Sequence, residues 1–159
     1  MNHSIKVGVS FGLNSGVITT LGLIVGLYSG TQSALAVIGG IITIAIADAF
    51  SDALGIHVSE ESEGVHTSLE IWQSTIATFL TKFFIAMSFL VPVLLLPLGQ
   101  AVLTSVVWGM LLVANFSYTM ARAQNKSGLH AVTEHLTIAV LVIIITYFVG
   151  VLVDNRFGP

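Results

Sequence analysis

Long apolar runs alternate with short polar ones from one end of this chain to the other. Five runs are long enough to cross a bilayer as helices, over residues 7–27, 33–62, 75–96, 101–121 and 131–153. The second run is the longest. Thirty helical residues reach about 45 Å, more than the ~30 Å hydrocarbon core, so its C-terminal end is expected to project into water. Residues 64–74 then form a short connection, with Leu69, Trp72, Ile76 and Phe79 at helical spacing along the membrane surface. In the third run Lys82 falls within the first two turns, from where its long stem is expected to snorkel to the interface. Pro92 is expected to kink that helix and Pro97 to end it. Ser127-Gly128 breaks the polar loop before the fifth helix. Residues 1–6 are short and polar and no small-residue cleavage site follows, so the first run reads as a retained helix.

Polar positions inside these runs carry the information. In the first helix, glycines recur at 8, 12 and 16 and again at 22, 26 and 30, a spacing that lets helices approach closely. Tight packing within the chain and a homodimer seam explain it equally well. Asn14 and Ser15 lie at a depth where polar groups need partners. The second helix carries Asp48 and Asp52, about 40° apart on one face. Ser51, Gly55, Ser59, Ser62 and Glu63 fall within about 60° of Asp48 on the same wheel. An ionised side chain at the bilayer centre costs about 2.5–3.5 kcal/mol on insertion scales. Helix-to-helix glue is the plainer explanation of such a stripe, but Asn or Ser would serve that better than two repelling acids. A cation, or a proton held between them, resolves the repulsion. The stripe therefore reads as a cation path.

Composition narrows the class. Hydrophobic residues make up 55% of the 159 and charged ones only 8%, which fits one membrane domain over residues 1–159. With no cysteine, disulfides, thiolate metal sites and cysteine nucleophiles are excluded. A net charge of −3 without a basic patch gives no reason to expect a nucleic-acid partner. Five spans place the two ends on opposite sides of the membrane. Lys6, Lys82, Arg122 and Lys126 then share the amino-terminal side against Arg156 on the other, so the N-terminus is expected in the cytoplasm and the C-terminus outside.

Two further groups carry candidate chemistry. His57, Glu60, Glu61, Glu63, His66 and Glu70 cluster in sequence at the cytoplasmic end of the second helix, and imidazole with carboxylate suits first-row divalent metals. A solvated acidic helix end is the plainer reading for any single one of them. His130, Glu134 and His135 open the fifth helix on the same side, but their spacing matches neither zinc-protease pattern. Glu134 is favoured there by the helix dipole alone.

Taken together, the residues resemble the vacuolar iron transporter family across nearly the whole chain. Gly12-Leu13-Asn14-Ser15-Gly16 and Gly26 are similar to its opening helix, and Leu54-Gly55 with Ser62-Glu63 to its long second helix. Phe89, Pro92 and Pro97 resemble its third helix, and Lys126-Ser127-Gly128 with Tyr147 and Gly150 its last loop and helix. The resemblance implies a five-helix homodimer that moves Fe²⁺ or Mn²⁺ out of the cytosol, with proton exchange proposed for better-known members. Three positions depart from the pattern. Ser15 stands where the family has an aspartate, Asp52 where it tends to carry a methionine, and Ile44 where it has a glutamate, while Asp48 supplies an acid one turn on. Larger members insert a glutamate-rich metal-binding domain between helices two and three, for which residues 64–74 are too short.

The expectation is thus an all-α integral membrane transporter, not an enzyme, in the cell membrane of a prokaryote or a vacuolar-type membrane of a eukaryote. Its cargo is a divalent cation, Fe²⁺ or Mn²⁺, with no permanently bound cofactor. Its partners are a second copy of itself, the lipid bilayer, metal ions and protons. The expected metal-contacting residues are Asp48, Asp52, Glu60, Glu63, His57, Glu61, Asn14 and Ser15. A proton or monovalent-cation pathway is the alternative, since carboxylates relay protons without metal. A zinc enzyme built on His130, Glu134 and His135 is the remote one.

Overall fold

Every backbone group that meets lipid must find its partner within its own segment, and this chain answers with helices throughout. The computed structural model describes residues 3–158, leaving Met1, Asn2 and Pro159 outside the described residues. Six helices follow in order: α1 (His3–Thr31), α2 (Ala34–Glu63), α3 (Ser68–Ser88), α4 (Leu90–Leu95), α5 (Leu98–Ala123) and α6 (Gly128–Phe157). With α3 and α4 taken as one broken span, five segments are long and apolar enough to cross a membrane. The all-α, five-span architecture is therefore as the sequence pattern predicts.

α1 is the central element, packing against α3 and α6 most extensively and also against α2 and α5. Val17, Leu21, Ile24 and Val25 of α1 meet Val37 and Ile41 of α2, Phe89 and Val93 of the α3–α4 region, and Val102 and Val113 of α5 in one apolar core. The outer surface is apolar too. Phe50 and Leu54 of α2, Phe84 of α3 and Phe148 and Leu152 of α6 are all exposed, as a lipid-facing surface requires.

The glycines of α1 are used within the chain. A Cβ at Gly12 would stand 2.7 Å from the Thr78 carbonyl oxygen and 3.1 Å from Thr81 Cβ on α3. At Gly16 it would stand 3.3 Å from Lys82 Cγ. Gly22 and Gly26 face Thr146 of α6, and Gly30 faces Gly150. Both glycine faces are thus occupied by intrachain neighbours, which removes the reason for placing a dimer seam there.

The third span differs from the sequence reading in three respects. α3 begins at Ser68, not 75, because Thr67 and Glu70 form a capping box: Glu70 N–H donates to Thr67 Oγ1 (3.4 Å) and Thr67 N–H to Glu70 Oε2 (2.9 Å). The spacing of Leu69, Trp72, Ile76 and Phe79 accordingly belongs to the spanning helix itself, and the 2–3 link shrinks to 64–67, with Gly64 left-handed at φ 66°. The break in the third span falls at Phe89, ahead of the expected kink at Pro92. Proline lacks the N–H that would bond the Ser88 carbonyl and its ring crowds that oxygen, so the defect appears one turn upstream. Phe89 N–H tightens instead onto Ala86 O at 3.1 Å.

The third difference concerns Lys82. With α3 starting at Ser68, this residue lies 14 positions into the helix, about 21 Å from its start. It is 1% exposed and does not snorkel.

Candidate functional site: a lysine between two aspartates

Three helices supply one buried polar cluster. On α3, Ser74, Thr78 and Lys82 recur every four residues and are all buried, making a polar face that lies on the glycine face of α1. Absence of side chains at Gly12 and Gly16 lets the lysine stem pass along α1 to reach Ser15. On α2, Asp48 and Asp52 point to the same place from the other side.

At the centre, Lys82 Nζ donates to Ser15 Oγ at 2.9 Å and to Asp52 Oδ2, while Ser15 Oγ donates to Asp52 Oδ2 at 2.6 Å. Asp48 Oδ2 lies 2.6 Å from Nζ but outside hydrogen-bonding angles, so this contact is an ion pair without a directed hydrogen bond. The aspartates are less enclosed than the lysine, with side chains 19% (Asp52) and 27% (Asp48) exposed. Two carboxylates and one ammonium give the cluster a formal charge of −1. The counter-charge that the acid stripe demanded is therefore carried by the protein itself, on a residue the sequence reading had sent to the interface.

Open hollows approach the cluster from both ends of α1. One, of about 810 Å³, runs beside the first half of that helix, with His3, Lys6, Ser10, Asn14 and Ser15 on its wall and Met120 and Gln124 opposite. Asn14 Nδ2 donates to the Ser10 carbonyl at 3.3 Å, while its Oδ1 is buried without a hydrogen-bond partner. An adjoining hollow of about 660 Å³ shares Ser10, Asn14, Met120 and Gln124 and extends to His130, Glu134 and His135. The other approach, about 720 Å³, lies between the second half of α1 and α2, where Thr19, Thr43, Asp48 and Ser51 interrupt an apolar lining. Ser15 thus faces one hollow and Asp48 the other, with Lys82 between them.

The remaining expected site residues lie elsewhere. His57 Nδ1 is 2.9 Å from Thr75 Oγ1 and its ring meets Trp72 edge-on at 4.9 Å. Because the Thr75 hydroxyl donates to the Ile71 carbonyl (2.7 Å), His57 Nδ1 is the donor in that pair. Glu60 is buried and accepts from Ser74 Oγ at 2.6 Å. Glu61 is exposed, and Glu63 pairs with His66 at 3.2 Å. Glu70 is engaged in its cap and His135 is bonded to Ser117 at 2.7 Å. Among the described residues, no three His, Asp or Glu side chains converge as a metal-holding group. Of the eight expected, Asp48, Asp52 and Ser15 come together and Asn14 stands beside them.

The residue missing from that expectation is Lys82. Its signal was the four-residue recurrence of Ser74, Thr78 and Lys82, a polar stripe on α3 that mirrors the one on α2. No protein-family model matches this chain, and no curated protein matches it either.

Proposed function

We propose that this protein is a membrane transporter for small cations, carrying a divalent metal ion such as Fe²⁺ or Mn²⁺ out of the cytosol past Asp48 and Asp52. The observation that carries this reading is a cluster of three ionisable groups at mid-span, with an open hollow at each side. Ionisable residues at that depth are expensive and mark ion routes by default. The resemblance of the motifs to the vacuolar iron transporter family supports the choice of a divalent cargo. Asp48, Asp52 and Ser15 offer hard oxygen donors suited to such an ion.

The α1–α2 hollow also supports a homodimer. It exposes Thr43, Ser51 and part of Asp48 at a depth where lipid gives polar groups no partner. A second copy applied to this face in two-fold symmetry covers both hollows at once. A proton or monovalent-cation route is the second reading. It is favoured by the linked groups Asp48, Lys82, Asp52 and Ser15, which can pass a proton along without any metal.

Uptake of Mn²⁺ and Fe²⁺ into proteoliposomes, with and without a pH gradient, tests the proposal. Asp52→Asn and Asp48→Asn are each expected to lower metal flux at least tenfold while the protein remains folded. Unchanged metal flux in the Asp48→Asn/Asp52→Asn double variant would place the route elsewhere.

A further inference from the structure

We infer that Lys82 is a tethered competitor for the transport site, one that excludes monovalent cations and yields only to an ion of higher charge. The inference rests on the reading above that Asp48 and Asp52 meet the cargo, and it names what selects that cargo.

The geometry is that of a seated cation. Nζ has three oxygens around it: it donates hydrogen bonds to Ser15 and Asp52 and is ion-paired with Asp48. The groups facing it from α2 are the two aspartates, and from α1 Gly12, Ser15 and Gly16, so among the described residues no second basic group shares the site. The stem is held as well as the head. Lys82 N would lie 3.2 Å from a Cβ at Gly12, and Lys82 Cγ and Cα 3.3 and 3.4 Å from one at Gly16. Any side chain at those glycines would press on the lysine.

Charge then decides what displaces it. Two aspartates carry −2. At the two carboxylates the sum is −1 with the ammonium seated, −1 again with a monovalent ion in its place and zero with a divalent ion, the displaced ammonium being counted apart because it has left the carboxylates. A monovalent ion gains nothing over the lysine and must compete with a group tethered at an effective concentration of millimolar or more. A divalent ion brings one further unit of attraction to each carboxylate in a low-dielectric setting, where that unit counts most. The displaced ammonium needs an acceptor, and the one the inference assigns to it is Asn14 Oδ1, which is buried and without a hydrogen-bond partner.

Two measurements on reconstituted protein test this. The first uses the wild-type chain, whose three lysines are Lys6, Lys82 and Lys126. Labelling with a membrane-permeant amine reagent, read by mass spectrometry, is expected to spare Lys82 in Na⁺ or K⁺. Mn²⁺ is expected to raise its labelling at least fivefold relative to Lys6 and Lys126. The second uses Lys82→Cys, the introduced thiol being unique because the chain has no cysteine. Attaching a neutral propyl group is expected to let Na⁺ or K⁺ compete with Mn²⁺ uptake at least tenfold better than in wild type. Attaching an ethylammonium group to the same protein is expected to restore discrimination. Mn²⁺ transport with Lys82 labelling unchanged, or equal discrimination in the propyl and ethylammonium forms, overturns the inference. Absence of Mn²⁺ and Fe²⁺ transport by the wild-type protein overturns instead the functional reading on which it rests.

Discussion

Replacing Lys82 by methionine removes the charge but keeps an unbranched stem of similar length against Gly12 and Gly16. Asp48 and Asp52 are then left facing each other with no counter-ion inside the span. Removing one partner of a buried ion pair costs about 3–5 kcal/mol. The aspartates here are 27% and 19% exposed, and Asp48 borders a hollow that can admit water to relieve part of its charge, so the cost should fall near the lower limit, about 3 kcal/mol. Asp52→Asn is the milder change. It leaves Lys82 paired with Asp48 and bonded to Ser15, and weakens the two charge-assisted hydrogen bonds that Asp52 accepts from Lys82 and Ser15, at a cost of about 1.5–3 kcal/mol. The double variant Asp52→Asn/Lys82→Met should be more stable than the two single costs summed, by a coupling of about 0.5–3 kcal/mol. Removing all three charges should return stability close to wild type, because an uncharged cluster needs no internal neutralisation. Equilibrium unfolding of the detergent-solubilised protein by increasing SDS fraction measures each value without reference to transport. A Lys82→Met protein within about 0.5 kcal/mol of wild type would refute the claim that this lysine neutralises the acids, since that is the scatter of an ordinary surface substitution.

Other consequences follow from the same packing. Gly12→Ala places a methyl 2.7 Å from the Thr78 carbonyl and should cost about 1–3 kcal/mol in the same unfolding assay, whereas Gly39→Ala, with nothing within 4 Å, should be neutral or slightly stabilising. Ser51→Cys, on the open α1–α2 face, should form an intermolecular disulfide in native membranes under mild oxidant, while Phe148→Cys on the lipid-facing side of α6 should not. The reverse pattern would move the dimer interface to α6. Reporter fusions at the two ends should place the N-terminus in the cytoplasm and the C-terminus across the membrane, and finding both on one side would contradict five crossings.

The helices were legible because the bilayer permits so little else. A run of about twenty apolar residues has to be helical, so length and hydropathy alone located all five spans. Their ends were less legible, and one of them mattered. Starting the third helix at 75 puts Lys82 seven residues in, about 10 Å, which is within reach of the interface for a lysine stem. The capping box of Thr67 and Glu70 moves that start to Ser68 and doubles the distance of Lys82 from it. The same residue then changes from an interfacial anchor into a buried ion.

Such an error propagates because depth, more than residue type, determines what a charge in a membrane must do. The acid stripe on α2 calls for a cation or a shared proton, and from sequence alone the transported ion is the evident candidate. A basic residue at matching depth on a neighbouring helix meets the same need without any cargo, and here it occupies the position between the carboxylates. This does not make the stripe inert. A lysine held only for structure could be exchanged, together with both aspartates, for an apolar set at little or no cost in stability. The cluster instead stands between two open hollows, with Asp48 half-open to one and Ser15 facing the other. On the proposed reading an internal cation at this position holds the two carboxylates together and sets the threshold an incoming ion must exceed, so removing its charge should weaken the fold and the selectivity together.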